Sequence, residues 1–249
     1  MAHLHVATLN ILNLADRWPE RLPLILADMA ALQPDLLGLQ EVVYVMQQDR
    51  LIGAAAEGRY GVTRAWGQRP EYGNSLLVRE PLRSGDDERL ELSFGRSALR
   101  AVVQLPNGGG TLLVVVTHLH HDVDAEAERD AQAAAVLRWI EAGPPSDGLV
   151  VMGDFNAGPH EPTYARMVAA GFVSAFASAT GGEPPVTWPS GLQAPAMDID
   201  GAPDCLDYIW VRGAIRVSSA RLAWDRPAVD DPTLYPSDHF GISAMLEIG

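Results

Sequence analysis

The sequence predicts an α/β fold with mixed or antiparallel sheets, and three observations predict it. Apolar runs of strand length outnumber the segments with helical periodicity. Several of those runs follow one another with no helix between them, unlike a simple strand–helix alternation. The chain has 249 residues, 47% of them hydrophobic and 20% charged, which suits one large globular domain with a substantial core.

Leu4–Leu12 alternates like a strand, and Glu20–Gln33 carries helix formers with an apolar stripe closed by Pro34. Leu36–Leu39 is a short apolar strand running into Gln40 and Glu41, and Asn74–Arg79 is another, stopped by Pro81. Ser97–Leu105 and Thr111–Thr117 flank a Pro-Asn-Gly-Gly-Gly stretch and predict a hairpin. Gly108–Gly110 in that stretch lacks the Lys and following helix of a phosphate loop. Ala125–Ala142 is the clearest helix, with acidic residues near its start and Gly-Pro-Pro after its end. Leu149–Met152 is a strand, and Pro162–Ala170 a short helix with Gly171 at its C-cap. Leu206–Val211, Arg216–Trp224 and Gly241–Ile248 close the chain as strands, after a Gly- and Pro-rich loop over Gly181–Pro203. No repeat and no break in composition divides the sequence, so residues 1–249 are expected to form a single domain.

Composition excludes several function classes. The net charge of −14 argues against a protein that binds nucleic acid through a basic face, and the chain contains no lysine. It does not argue against an enzyme that meets phosphates through bound cations. Cys205 is the single cysteine, so neither an internal disulfide nor a cysteine zinc site can form. The start, MAHLHVATLNIL, lacks the pattern of a signal peptide, and no run approaches the ~18 apolar residues of a transmembrane span. A cytoplasmic location, with no obligate protein partner, is the expectation.

One pattern recurs along the chain. Groups that bind metal or move protons stand at the ends of apolar strands: Asn10, Glu41, His118, Asp154 with Asn156, and Asp207. Asp238 and His239 precede the last strand. A buried strand that ends in a carboxylate is costly unless that carboxylate is paired or metal-bound. Carboxylates, amides and imidazoles together form the donor set of a hard divalent cation with acid–base groups beside it.

TLNILN, LQEV, GNSLLVR, THLHHD, GDFNAGP, LDYIWV and SDHFGI occur in the order of the endonuclease/exonuclease/phosphatase superfamily, which the chain resembles from Thr8 to Ile242. The resemblance implies a four-layer α/β/β/α sandwich of two mixed β-sheets flanked by helices, as in deoxyribonuclease I. It also implies hydrolysis of phosphoesters dependent on Mg²⁺, with Mn²⁺ as a substitute, through one or two ions. Glu41 would be the principal metal ligand, with Asn10 near the metal or the phosphate and Asp238 completing the acidic cluster at a second metal. His239 would act as general base, or bind the scissile phosphate as an imidazolium, with Asp207 holding its second ring nitrogen. Asp154 and Asn156 would position the attacking water and the phosphate oxygens. His118 would contact the phosphate or protonate the leaving oxygen, oriented by Glu71, while Arg100 and Thr187 resemble polar residues near the phosphate site. Arg129 and Gln132 are read as braces for the site loops.

Simpler readings compete at each position. Asp154 and Asn156 suit an Asx-turn before Gly158 and Pro159. His120 and His121 suit a solvated rim as well as catalysis, and His160, which follows GDFNAGP, either lines the pocket or, the favoured reading, needs no role beyond its loop. The substrate is expected to be either a small phosphodiester or phosphomonoester, or nucleic acid cleaved by the same mechanism. Arg64, Arg69, Arg79, Arg96 and Arg100 would supply a modest cationic patch for the second, and Trp188 and Met197 a specificity wall for the first. A non-catalytic binding module of the same fold is a further alternative, and a hydrolase using paired carboxylates on a sugar ranks last because it would leave His118 and His239 without work.

Overall fold

The computed structural model describes residues 2–57, 59–66, 72–195, 197 and 200–249. The strands are β1 Ala2–Asn10, β2 Leu36–Val43, β3 Tyr60–Trp66, β4 Tyr72–Arg79, β5 Arg83–Glu91 and β6 Ser97–Gln104. They continue with β7 Thr111–His118, β8 Gly148–Asp154, β9 Val173–Ser174, β10 Asp207–Gly213, β11 Ile215–Ala223 and β12 Gly241–Ile248. The helices are α1 Trp18–Leu32, α2 Gln48–Ala54, α3 Glu126–Glu141, α4 Pro162–Ala169 and α5 Ala175–Thr180. The strands form two six-stranded mixed sheets, ordered β11-β12-β1-β2-β4-β3 and β5-β6-β7-β8-β10-β9. Each sheet has one parallel pair, β1 with β2 and β7 with β8, bridged by α1 and α3 respectively. All the other pairings are antiparallel.

Alternation along the strands builds the layers. In β1, Leu4 and Val6 join the core cluster shared by both sheets, whereas Ala7 and Leu9 join a separate cluster with Ile25 and Met29 of α1. In β7 and β8, Val114, Val116, Val150 and Met152 face the shared core, and Val115 and Val151 face Val136 and Ile140 of α3. Three apolar clusters thus separate four layers, the α/β/β/α sandwich. Gly38 of β2 meets Met152 of β8 across the shared core, where a Cβ would lie 2.7 Å from the thioether sulfur.

The strand ends inherit this parity. His118 and Asp154 continue the core-facing rows of β7 and β8 by one more step of two residues, and Asn10 continues that of β1 by two steps, through buried Thr8. Parallel pairing places Asn10 beside Gln40 and His118 beside Asp154. Antiparallel pairing returns Asp207 to Asp154 and Ile242 to Thr8. Every candidate strand end therefore lies at one edge of the sandwich.

Sequence signals missed β3, the short α2 and α5, and β5. The β5 segment RSGDDERLE is polar and largely exposed, an edge strand without an apolar row to betray it. No helix among the described residues is long and apolar enough to cross a membrane.

Candidate active site

Glu41 reaches the site through a fault in its strand. The β2–β4 register slips by one residue between Leu39 and Val42, and Glu41 takes the left-handed conformation, φ 58°. Uninterrupted alternation would turn Glu41 with Leu37 and Leu39 towards the helices; the extra bulge residue changes the phase. Its carboxylate accepts from Asn10 Nδ2 at 3.2 Å and from Asn13 Nδ2 at 2.7 Å.

Asn10 joins the two sheets. The same Nδ2 donates to Asp154 Oδ2 at 3.0 Å, so a single amide group separates Glu41 from Asp154. Asn10 Oδ1 accepts from the Leu12 amide at 3.0 Å, which fixes which end of the side chain faces the carboxylates. Asn10 therefore meets the acidic cluster as a donor, where an oxygen ligand would have had to turn its carbonyl.

GDFN divides its labour residue by residue. Gly153 has φ 139°, and a Cβ there would lie 2.0 Å from the Thr117 carbonyl, so only glycine lets β8 approach β7 this closely. Asp154 Oδ1 accepts from the Asn156 amide at 2.9 Å, the Asx-turn; Phe155 packs edge-on against Tyr208 in the outer core. Asn156 lines the cleft while its Nδ2 donates to the Leu119 carbonyl at 3.0 Å, tying the loop after His118.

Asp154 Oδ2 is the hub of the arrangement. Besides Asn10, it lies 3.3 Å from His118 Nε2 and 3.7 Å from His239 Nε2. His239 Nδ1 sits 2.8 Å from Asp207 Oδ2, and both side chains are buried. That contact places a proton on Nδ1. The ligand atoms of Asp154, Asp207 and His239 lie within 4.8 Å of one another, with Asp207 Oδ2 and His239 Nδ1 already facing each other.

Burial sets the charge states. It opposes the His239 imidazolium, yet Asp207, Asp154 and Asp238 together outweigh it and raise His239 well above the usual range. Burial, helped by Arg96, His239 and His121, holds His118 well below that range, so it is neutral at pH 7. Asp154 is pushed up to about 7 by burial, with Asp207 adding to the effect and His239 and Asn10 opposing it. Asp238 is raised by burial and by Glu41. These carboxylates form an under-neutralised, all-oxygen cluster, the donor chemistry that Mg²⁺ or Mn²⁺ prefers.

Together, Asn10, Glu41, His118, Asp154, Asn156, Asp238 and His239 line one cleft of about 940 Å³. Residues 7–239 match the sequence model of the Endonuclease/Exonuclease/phosphatase family. The chain belongs to that family. Its relatives in the family include mouse (Mus musculus) nocturnin, 30% identical over 256 residues that cover 91% of this chain and 58% of nocturnin. The uncharacterized protein YbhP of Escherichia coli K12 is 28% identical over 186 residues, covering 71% of this chain and 63% of YbhP. The chain thus spans little more than half the length of the nocturnins it matches. Among solved structures, the human nocturnin catalytic domain with bound sulfate anion has a TM-score of 0.80 at 24% identity, covering 99% of this chain and 95% of that one. D. rerio TDP2 complexed with single strand DNA product has a TM-score of 0.82 at 20% identity, covering 99% and 100%. At these identities the structures speak for the fold, the two-sheet sandwich of deoxyribonuclease I-like proteins.

Two expected residues sit elsewhere in this family member. Arg100 does not reach the cleft. Its guanidinium lies 4.3 Å over the Trp139 ring of α3 and pairs with Glu88. Its neighbour in space comes from a distant helix, a contact that strand-end position does not reveal. Thr187 is fully buried, and its Oγ1 accepts from the amides of Leu206 at 2.8 Å and Asp207 at 3.1 Å. It braces the start of β10 instead of facing the cleft. Glu71 lies outside the described residues, as does Arg69.

Among the described residues the arginine patch does not assemble. Arg64 is held by Asp49 at 2.7 Å and Arg79 by Asp35 and Gln33, so among the described members only Arg96 lines the cleft. Arg96 Nη1 lies 3.0 and 2.9 Å from the two ring nitrogens of His118. Arg129 and Gln132 brace as expected. Arg129 holds Glu161 and the Asp122 and Val123 carbonyls, and Gln132 bridges the His120 amide and Ser93. Trp188 and Met197 of the long loop do line the cleft, with exposed His121 and His160; His120 lines it too but is buried, not solvated as expected.

Arg21 escaped sequence analysis because it lies inside the first helix. Fully buried, it gives its five N–H groups to the carbonyls of Ile11, Leu12, Ala15, Asp16 and Pro236. Those loops carry Asn13, Asp238 and His239. Burial brings Arg21 down to about 10, so it remains charged at neutral pH.

Proposed function

We propose that residues 1–249 act as one domain that hydrolyses phosphoesters by in-line attack of water with a divalent metal ion. The observation that carries this reading is the convergence on Asp154 Oδ2, where an amide from one sheet and two imidazoles meet a carboxylate one group away from Glu41. Glu41 and Asp238 would hold the ion, with Asn10 and Asn13 orienting Glu41 through its oxygens. Bound there, Mg²⁺ or Mn²⁺ would neutralise charge developing on the phosphoryl oxygens.

The protein's own groups divide the remaining work by charge state. His239, kept protonated by Asp207, presents its Nε2–H to a phosphoryl oxygen and stabilises the growing negative charge. Of the two roles the resemblance implied for His239, this one suits its charge better than general base. Asp154, lifted to about 7, orients the attacking water and takes its proton. His118, neutral, accepts from Arg96 Nη1 at Nδ1, 3.0 Å away, which leaves Nε2–H to donate towards the phosphate or leaving oxygen, with Arg96 adding fixed positive charge.

A small phosphoester suits the chain better than a nucleic-acid strand. The net charge is −14, lysine is absent, and polymer backbones are gripped through several phosphate contacts at once. The test is hydrolysis of a panel of small phosphodiesters, phosphomonoesters, single-stranded oligonucleotide and supercoiled plasmid, with Mg²⁺, with Mn²⁺ and with chelator. Turnover that needs the metal and favours small substrates at moderate salt supports the reading. Robust hydrolysis in chelator overturns it. No hydrolysis together with no calorimetric Mg²⁺ binding would favour a binding module instead.

A further inference from the structure

The turn joining β5 to β6 breaks the rule for its own geometry. Phe94 (φ 55°, ψ 30°) and Gly95 (φ 72°) both take positive φ, and the Arg96 amide closes the turn on the Ser93 carbonyl at 3.2 Å. Such a type I′ turn calls for Asn or Asp before the glycine, and a phenylalanine is rare there. Burial does not explain the choice, because Phe94 is 66% exposed. A local rule broken without burial directs attention to function.

The surroundings say what that function is. Phe94 lines the cleft and stacks on His120, with ring centroids 4.2 Å apart and planes 20° from parallel. Gln132 locks the pair, accepting from the His120 amide at 2.8 Å and donating to the Ser93 carbonyl at 3.1 Å. Two residues further on, Arg96 reaches His118 of the phosphate-facing group. Trp188 and Val123, which meet near Gly201, line the same cleft. An exposed, pre-positioned aromatic face next to a cation and a phosphoryl site has the layout that receives a planar ring carried by a phosphate.

We propose that Phe94, stacked on His120, is the platform for a nucleobase, so that the phosphoester hydrolysed here is borne by a nucleotide and not by a lipid headgroup or a polyol. This deepens, and rests on, the phosphoesterase reading of the cleft. The nucleobase can arrive on a free nucleotide or on the end of a strand, and the platform chemistry is the same for both.

The test compares calorimetric binding of adenosine 5′-monophosphate and ribose 5-phosphate, with Mg²⁺ present, to the wild type, Phe94→Asn and Phe94→Trp. Asn suits the turn, so Phe94→Asn should melt no lower than the wild type while losing the ring. The wild type should prefer the nucleotide roughly 10- to 100-fold, Phe94→Trp should retain the preference, and Phe94→Asn should bring the ratio close to one. Equal wild-type affinity for the two compounds, or an undiminished preference in Phe94→Asn, overturns the platform while leaving metal-dependent hydrolysis standing. Base-dependent binding without hydrolysis of any phosphoester upholds the platform and overturns the hydrolase reading. Both readings fall if neither compound binds and nothing is hydrolysed. A short oligonucleotide run beside the mononucleotide, at low and moderate salt, tells which source of the base is preferred.

Discussion

His239 Nδ1 lies 2.8 Å from Asp207 Oδ2, and the Asp207 amide is itself held by Thr187 Oγ1. A residue from the chain's last loop is thus oriented by the first residue of β10, which is steadied in turn by the loop before it. In Asp207→Asn the histidine should lose the strongest influence favouring its protonation. NMR titration should show its pKa falling towards the ordinary 6.5, and kcat should drop about 10²- to 10⁴-fold. An unmoved histidine titration would show that Asp207 does not set its charge.

Acidity at the hub should make stability depend on pH and metal together. Asp154 has its folded pKa raised from 3.8 to about 7, so the folded state holds the proton more tightly, and stability falls as pH rises across that interval. His239, raised above 6.5, contributes stability that is complete below 6.5 and lost as pH climbs through its elevated folded value. Both effects run the same way. In chelator, Tm should fall between pH 5 and pH 8, and added Mg²⁺ should raise Tm more at pH 8 than at pH 5. Asp154→Asn should flatten the decline, gain on the order of 1–2 kcal/mol in chelator near pH 8, and abolish activity.

Glu41→Gln keeps the shape of the side chain and the bulge while removing its charge. Calorimetric Mg²⁺ affinity should weaken at least about tenfold, with Tm in chelator within a few degrees of the wild type. A metal affinity equal to the wild type would place the ion elsewhere.

Arg21→Lys tests how the loops at the cleft are held. Lysine offers three donors where arginine supplies five, leaving buried carbonyls without partners. Urea unfolding should show a loss of about 2–4 kcal/mol, and Mg²⁺ affinity should fall with it because Asn13 and Asp238 lose their fixed positions.

Arg100→Ala gives the opposite signature. It removes the stacking on Trp139 and the Glu88 pair, costing about 1–3 kcal/mol in stability. Steady-state kinetics should be unchanged within about twofold, since nothing in the cleft touches it.

The legibility of the site followed from physics local to each strand. An apolar row that ends in Asn10, His118 or Asp154 declares a polar group forced to the rim of a core, and strand pairing then brings those rims together. Glu41 was readable as a ligand type, but its direction depends on a bulge that only pairing with β4 reveals. The choice between the two ends of the Asn10 amide turned on a backbone N–H two residues away. Arg100 misled because its partner, Trp139, lies 39 residues further on. The β5 strand was silent because an exposed edge carries no apolar period.

The contact between Gly38 and Met152 bears on more than packing. Two residues beyond Gly38 stands Gln40, next to Glu41; two beyond Met152 stands Asp154. The reactive centre is therefore split between two independent slabs, and the gauge that spaces them is a glycine touching a thioether in a dry interior. A lone methyl group inserted there would prise the acidic halves apart without altering a single reactive atom. In this architecture chemistry can be detuned from beneath, through thickness alone.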